Sequence, residues 1–90
     1  MLPLVWRADA RADVRAIADY ISDHNPSAAE WLVARIEFAA QNLPLHPYMH
    51  RPGKVPGTRE AIVHPNYVMV YRVAEVIEIV TVYHARQQYP

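Results

Sequence analysis

The stretch from Pro44 to Gly57 divides this chain and limits what it can fold into. It holds four of the eight prolines and both glycines. Proline lacks a backbone donor, and glycine adopts backbone angles barred to other residues. Such a stretch is therefore a connector, with Gly53 and Gly57 free to supply positive φ where the chain turns. Before it, apolar residues recur at helical spacing; after it, β-branched and aromatic residues come in short runs. A helical layer and a sheet layer are expected, in that order. The 90 residues support one core, so residues 1–90 are read as a single domain.

Leu2-Pro3-Leu4-Val5-Trp6 reads as a short first strand, which Pro3 demotes to a sheet edge or to a late start. Asp9 is the expected N-cap of a helix running to about Ser22. Ala10, Val14, Ile17, Ala18 and Ile21 form its apolar stripe, while Arg11, Asp13, Arg15, Asp19 and Asp23 lie off it, on a face expected to be solvated. Pro26 ends this helix by pushing Asn25 out of helical geometry. The next helix is capped either by Asn25 with Pro26 in the first turn, or by a box of Ser27 and Glu30. Ala28, Leu32, Ile36, Ala39, Ala40 and Leu43 then recur at helical spacing, flanked by Trp31 and Phe38. A break this short implies an antiparallel helical hairpin. Trp31 is expected in the core or at an interface rim rather than in a site.

Beyond the connector, Arg59 to Val63, Tyr67 to Val73 and Val76 to Tyr83 read as strands. His64-Pro65-Asn66 and Ala74-Glu75 separate them, and links this short make neighbours antiparallel. The last run is almost continuously apolar, as in a strand covered on both faces, by the helices on one and by the tail or a partner on the other. The order is β-α-α-β-β-β. It predicts an α+β two-layer sandwich, a helical hairpin packed on a small, mainly antiparallel sheet.

Composition removes several functions. There is no cysteine, so no disulfide or thiolate metal site is available. No apolar run approaches the roughly 18 residues that span a membrane, and the first residues lack the pattern of a secretion signal. A cytoplasmic protein is expected. Net charge is zero, unlike a general nucleic-acid coat protein. The distribution is uneven: residues 1–43 carry four Arg against six carboxylates, and residues 44–90 carry four Arg and one Lys against three Glu. An acidic or phosphate-bearing partner is expected on the second half. Neither glycine precedes a helix with a Lys-Ser/Thr signature, which excludes a phosphate-binding loop. Ser22 and Ser27 sit beside helix ends, a poor basis for a hydrolase. His46 and His50 lie among prolines without a nearby carboxylate, so they read as loop histidines. No metal and no cofactor is expected.

What remains is a basic and aromatic set from the sheet and tail: Arg59, His64, Tyr67, Tyr71, Arg72, Tyr83, His84, Arg86 and Tyr89. Arginines stabilise a phosphoryl transition state, and His or Tyr moves protons near neutral pH, as in a metal-independent ribonuclease. Tyr and Arg are equally the favoured anchors of a protein interface. The residue types alone leave both readings open.

Several segments carry a family resemblance. Asn25-Pro26-Ser27-Ala28-Ala29, Leu43-Pro44-Leu45-His46-Pro47-Tyr48, Gly57-Thr58-Arg59-Glu60, the strand His64 to Val73, and the tail Val82-Tyr83-His84-Ala85-Arg86-Gln87-Gln88-Tyr89-Pro90 resemble the RelE/ParE toxins of type II toxin–antitoxin systems. The strand and the tail are the most specific. The resemblance implies a toxin neutralised by a cognate antitoxin, a small acidic protein whose disordered tail folds over it. RelE-like members cleave messenger RNA in the ribosome, whereas ParE-like members are understood to poison DNA gyrase. RelE-like chains usually carry an arginine where this chain has Val68, and lysines at the second strand, whereas Lys54 here lies in the connector. The resemblance is thus closer to the ParE branch, a binding toxin without catalysis. The alternative is a ribosome-dependent ribonuclease using Arg59, Arg72, His84, Arg86 and Tyr89. A third reading is a non-toxic, binding-only member.

Overall fold

The computed structural model describes all 90 residues. Strand β1 (Leu4–Trp6) leads directly into helix α1 (Ala8–Ser22), and α2 (Pro26–Asn42) returns beside it. A 3-10 turn (Leu43–Leu45) begins the connector. Then come β2 (Arg51–Pro52), β3 (Thr58–His64), β4 (Tyr67–Val73) and β5 (Ile77–His84). The five strands form one sheet in the order β1-β5-β4-β3-β2. β3, β4 and β5 make the expected antiparallel meander, and β1 lies parallel to β5 at the edge. The parallel pair follows from the connection, because the chain crosses the helical hairpin and three strands before it returns to β1. No helix is long and apolar enough to cross a membrane.

Two local expectations are corrected. Arg7, not Asp9, stands at the start of α1, with no side-chain cap. Its N–H still belongs to the sheet, donating to Ile79 O at 3.0 Å, so the chain passes from strand to helix without room for a capping turn. Asp9 lies in the first turn, where its charge suits the helix N-terminus. The connector also contains a strand that the sequence did not suggest: Arg51 and Pro52 pair with Glu60 and Arg59. Pro52 is tolerated because β2 is the sheet edge. Of the glycines, only Gly57 has positive φ, at 85°. Gly53 serves close approach instead, since its N–H donates to Thr58 O at 2.7 Å and a Cβ there would collide with Thr58 Oγ1.

The break between the helices is closed by Asn25, whose Oδ1 accepts from Ala28 N at 3.1 Å with Pro26 as the first helical residue. The main core lies between hairpin and sheet. Ala10, Leu32, Ile36, Ala40 and Leu43 meet Ala61, Met69, Tyr71, Ile77 and Ile79. Val14, Ile17 and Ile21 pack against it half-buried. A smaller cluster on the outer sheet face joins Val68, Val70 and Tyr83 to Val80 and Tyr89. β5 thus contributes to both faces, and the tail residue Tyr89 covers the outer one.

Ile36 is fully buried and Phe38, two residues on, is 69% exposed. Ile36→Ala is expected to cost about 2–5 kcal/mol in urea unfolding. Phe38→Ala should change stability by less than about 0.5 kcal/mol. Equal losses would mean that α2 is rotated.

Candidate functional site

The site begins with two irregularities in the sheet. In β5, Val70 pairs with Thr81 and Tyr71 with Ile79, so Val80 has no partner. This bulge shifts the alternation of side chains by one. Ile77, Ile79 and Val82 face the helices, whereas Tyr83 joins the outer cluster. An unbroken alternation would have sent Tyr83 inward and His84 outward. In β3, Ile62 pairs with Val68 and His64 with Tyr67, leaving Val63 unpaired. The second bulge brings His64 round to Tyr67. Asp13 of α1 holds the first one: its Oδ2 accepts from Thr81 Oγ1 at 2.5 Å and from Val82 N at 3.2 Å. The expectation that Asp13 is merely solvated is therefore wrong. The bulge exposes an N–H and a hydroxyl that only a carboxylate from the helix layer reaches.

Between the hairpin tip and the ends of β3 and β5 lies a cleft of about 750 Å³. Ile17, Ile21, Leu32 and Val82 supply apolar walls, and Tyr20, Trp31, His64, Tyr67 and His84 supply rings. Tyr67 packs edge-on against His84 at 5.2 Å and lies 5.9 Å from His64, which meets Trp31 at 6.2 Å. Each histidine closes a turn: His64 Nδ1 accepts from Asn66 N, and His84 Nδ1 from Arg86 N, both at 3.0 Å. Asp13 also lines the cleft, and no Arg or Lys does.

The outer face holds a different group. Glu60 is buried, and its carboxylate meets Arg51 Nε at 2.9 Å and lies 3.5 Å from the Tyr83 hydroxyl. Tyr83 stacks on Tyr89 at 5.0 Å. Burial pushes the Tyr83 hydroxyl above its ordinary range, and the Glu60 charge adds to the rise. Burial raises Tyr67 as well, helped by Tyr20. Burial also raises Tyr71, partly offset by Arg59.

The nine residues singled out from the sequence do not form one site. His64, Tyr67 and His84 meet in the cleft. Tyr71 is fully buried in the core, its hydroxyl donating to Pro47 O at 2.7 Å. Arg59 pins the connector, donating to Tyr48 O and His50 O at 3.2 and 2.7 Å and lying over the Tyr48 ring. Arg72 pairs with Thr58 and Glu78 on the opposite side of the sheet from Arg59. Tyr83 and Tyr89 stack on the outer face, and Arg86 is exposed in the tail. The basic second half is thus not one basic surface. Sequence reasoning missed Asp13 and Tyr20 as cleft residues. Trp31 lies at a rim, 55% exposed, rather than in the core. The only signal for Tyr20 and Trp31 was an aromatic beside each apolar stripe.

A helical hairpin packed on a five-stranded mixed sheet is a fold that this chain shares with a chain of a ParDE toxin–antitoxin system. The family model of the ParE toxin of the type II toxin–antitoxin system parDE matches residues 4–89, and the chain belongs to that family. The Sinorhizobium fredii protein Y4kP is 38% identical over 86 residues, 94% of this chain and 90% of its own. Toxin RelE2 of Caulobacter vibrioides is also 38% identical over 86 residues, 94% of this chain and 97% of its own. The chromosomal ParDE system of P. aeruginosa contains a chain that superposes with a TM-score of 0.85 at 27% identity, covering 93% of this chain and 96% of that one. A conserved Helicobacter pylori protein, 16% identical with a TM-score of 0.61, shares the fold, covering 99% of this chain and 100% of that one.

Two outcomes follow from the geometry. Asp13→Ala leaves the Thr81 hydroxyl and the Val82 N–H without their acceptor and is expected to cost about 1–3 kcal/mol in urea unfolding. The NMR signals of Tyr83 and His84 should move together with it. The tyrosines set an alkaline limit. The folded state keeps Tyr67, Tyr71 and Tyr83 protonated to higher pH than the unfolded chain does. Their contribution is complete below about pH 10 and is lost as pH rises through the folded-state values. Midpoints of urea unfolding between pH 9 and 12 should fall with pH, and Tyr83→Phe should flatten the fall.

Proposed function

We propose that this member of the ParE family stops growth as a binding toxin: it engages a replication enzyme, DNA gyrase being the expected one, and is neutralised by a cognate antitoxin. Both events belong in the cytoplasm. The observation that carries this reading is the dispersal of the residues a ribonuclease would need. A phosphoryl transition state needs positive charge close to the proton-transferring group. Here Arg59 is bound to two backbone carbonyls, Arg72 stands across the sheet from it, and the cleft holding both histidines has no Arg or Lys in its lining. Val68, the position where RelE-like chains carry an arginine, is buried in the outer apolar cluster. What remains exposed is a protein-binding inventory of aromatic and apolar side chains, Tyr20, Trp31 and Phe38 among them.

One contact favours the ribonuclease reading: His84 and Arg86 are held together by the bond from Arg86 N to His84 Nδ1. A single pair of substitutions separates the readings. In a binding toxin, Arg86→Ala and His84→Ala should weaken target binding by roughly 1–4 kcal/mol where they are anchors, with messenger RNA intact throughout. In a ribonuclease they should lower messenger cleavage by about 10²–10³. Primer extension on messages after toxin induction, beside an assay of gyrase-dependent DNA cleavage, distinguishes the two. Specific cuts in translated messages would overturn the binding-toxin reading, and cleaved-DNA complexes without such cuts would support it.

A further inference from the structure

We propose that the cleft at the hairpin tip is an anchor site for a cationic side chain, arginine or lysine, carried on an apolar segment of the antitoxin; this rests on the toxin reading above. The rings come first. Tyr20 and Trp31 are 71% and 55% exposed, a large aromatic area to leave in water, and Tyr67 lies buried behind them. His64 and His84 complete the enclosure, each ring held by a backbone N–H donated to its Nδ1. Ring faces carry a negative quadrupole that attracts guanidinium and ammonium groups. Trp31 already binds one such group, the Arg35 guanidinium 5.0 Å from its centroid, and Arg35 is not part of the cleft lining.

Charge points the same way. Asp13 is the only formal charge lining the cleft, and it uses Oδ2 for both of its bonds to β5, which leaves Oδ1 without a protein partner. The hairpin has no Lys or Arg between Arg15 and Arg35, and of its acidic residues only Asp13 lines the cleft, Asp19 and Glu30 lining a separate groove. A carboxylate brought here meets repulsion and finds no cation in the lining; a guanidinium meets rings and the Asp13 carboxylate. The expectation of an acidic partner on the second half came from charge counts, whereas the cleft, which takes His64, Tyr67, Val82 and His84 from that half, has no Arg or Lys in its lining. A volume of about 750 Å³ exceeds one side chain, and Ile17, Ile21, Leu32 and Val82 offer apolar contact to the residues flanking the cation.

The test uses acetyl-Leu-Arg-Leu-amide and its citrulline counterpart, which has the same shape without the charge. Binding is followed by NMR on the full chain through the backbone N–H signals of Tyr67 and His84, which line the cleft and are present in every variant. The arginine peptide is expected to give saturable shifts and to bind at least about fivefold tighter than the citrulline peptide, the factor expected of a half-exposed cation–ring contact. The preference should vanish in Tyr20→Ala/Trp31→Ala, a variant that folds because both side chains are exposed. Equal affinity for the two peptides, or no saturable binding, overturns the proposal. A second arm uses the product of the neighbouring reading frame. A complex with the antitoxin that the double variant forms with unchanged affinity overturns the anchor and leaves the toxin reading intact. Failure of any complex to form counts against the toxin reading, and the peptides then still decide the chemistry of the cleft.

Discussion

Asp13 is one carboxylate on a helix that the sequence presents as half solvated, and the two layers meet correctly because of it. The unpaired Val80 in β5 frees an N–H and turns a hydroxyl toward α1, and Asp13 Oδ2 accepts from both. An extra residue in a strand costs ladder bonds unless other groups satisfy the freed donors. The compensation here comes from a residue 68 positions away in sequence. It sends Tyr83 to the outer face and His84 to the cleft. The core, the outer cluster and the cleft therefore share one interaction as their reference point.

The architecture was legible in the sequence because it rests on period. Stripes such as Ile17, Ile21 and Leu32, Ile36 can bury only one side of a helix, and the near-continuous run Ile77 to Val82 reads as a strand covered on both faces. It lies between β1 and β4. Pro3 allowed an edge strand or a late start, and β1 is at the edge and begins only at Leu4. The errors lie where a side chain or a turn overrides period. Asp9 lost the cap because Arg7 still belongs to the sheet. Two residues of the connector became β2, an edge held through the ion pair of Arg51 with the buried Glu60.

The candidate site was legible only in part, for the same reason. Residue type gathered Arg59, Tyr71, Arg72 and Tyr83 into one basic and aromatic set, but the register fixes faces that composition cannot assign. Arg59 shares its side of the sheet with Tyr71, and Arg72 takes the other. His64 and His84 reach the same cleft because each follows a bulge, and neither unpaired residue, Val63 or Val80, is a glycine or proline that would announce it. The family resemblance was carried by the tail and hairpin segments, which form β4, β5 and the stacked Tyr89. Those segments build the scaffold, and a scaffold does not by itself name a target.

The distribution of charge ties scaffold to partner. Had the four arginines and the lysine of the second half converged, phosphate would be the natural ligand. Instead Arg51 neutralises Glu60, and Arg59 fastens the connector across two carbonyls. Two of the five second-half cations thus serve the fold, holding down the segment that the sequence marks as loose. Arg72 and Arg86 remain exposed but are separated, one on the outer sheet face and one in the tail. The concave surface has been left to aromatic rings and a carboxylate. A surface of that kind discriminates by shape and by the sign of one charge, which suits recognition of a protein segment better than turnover of a polyanion.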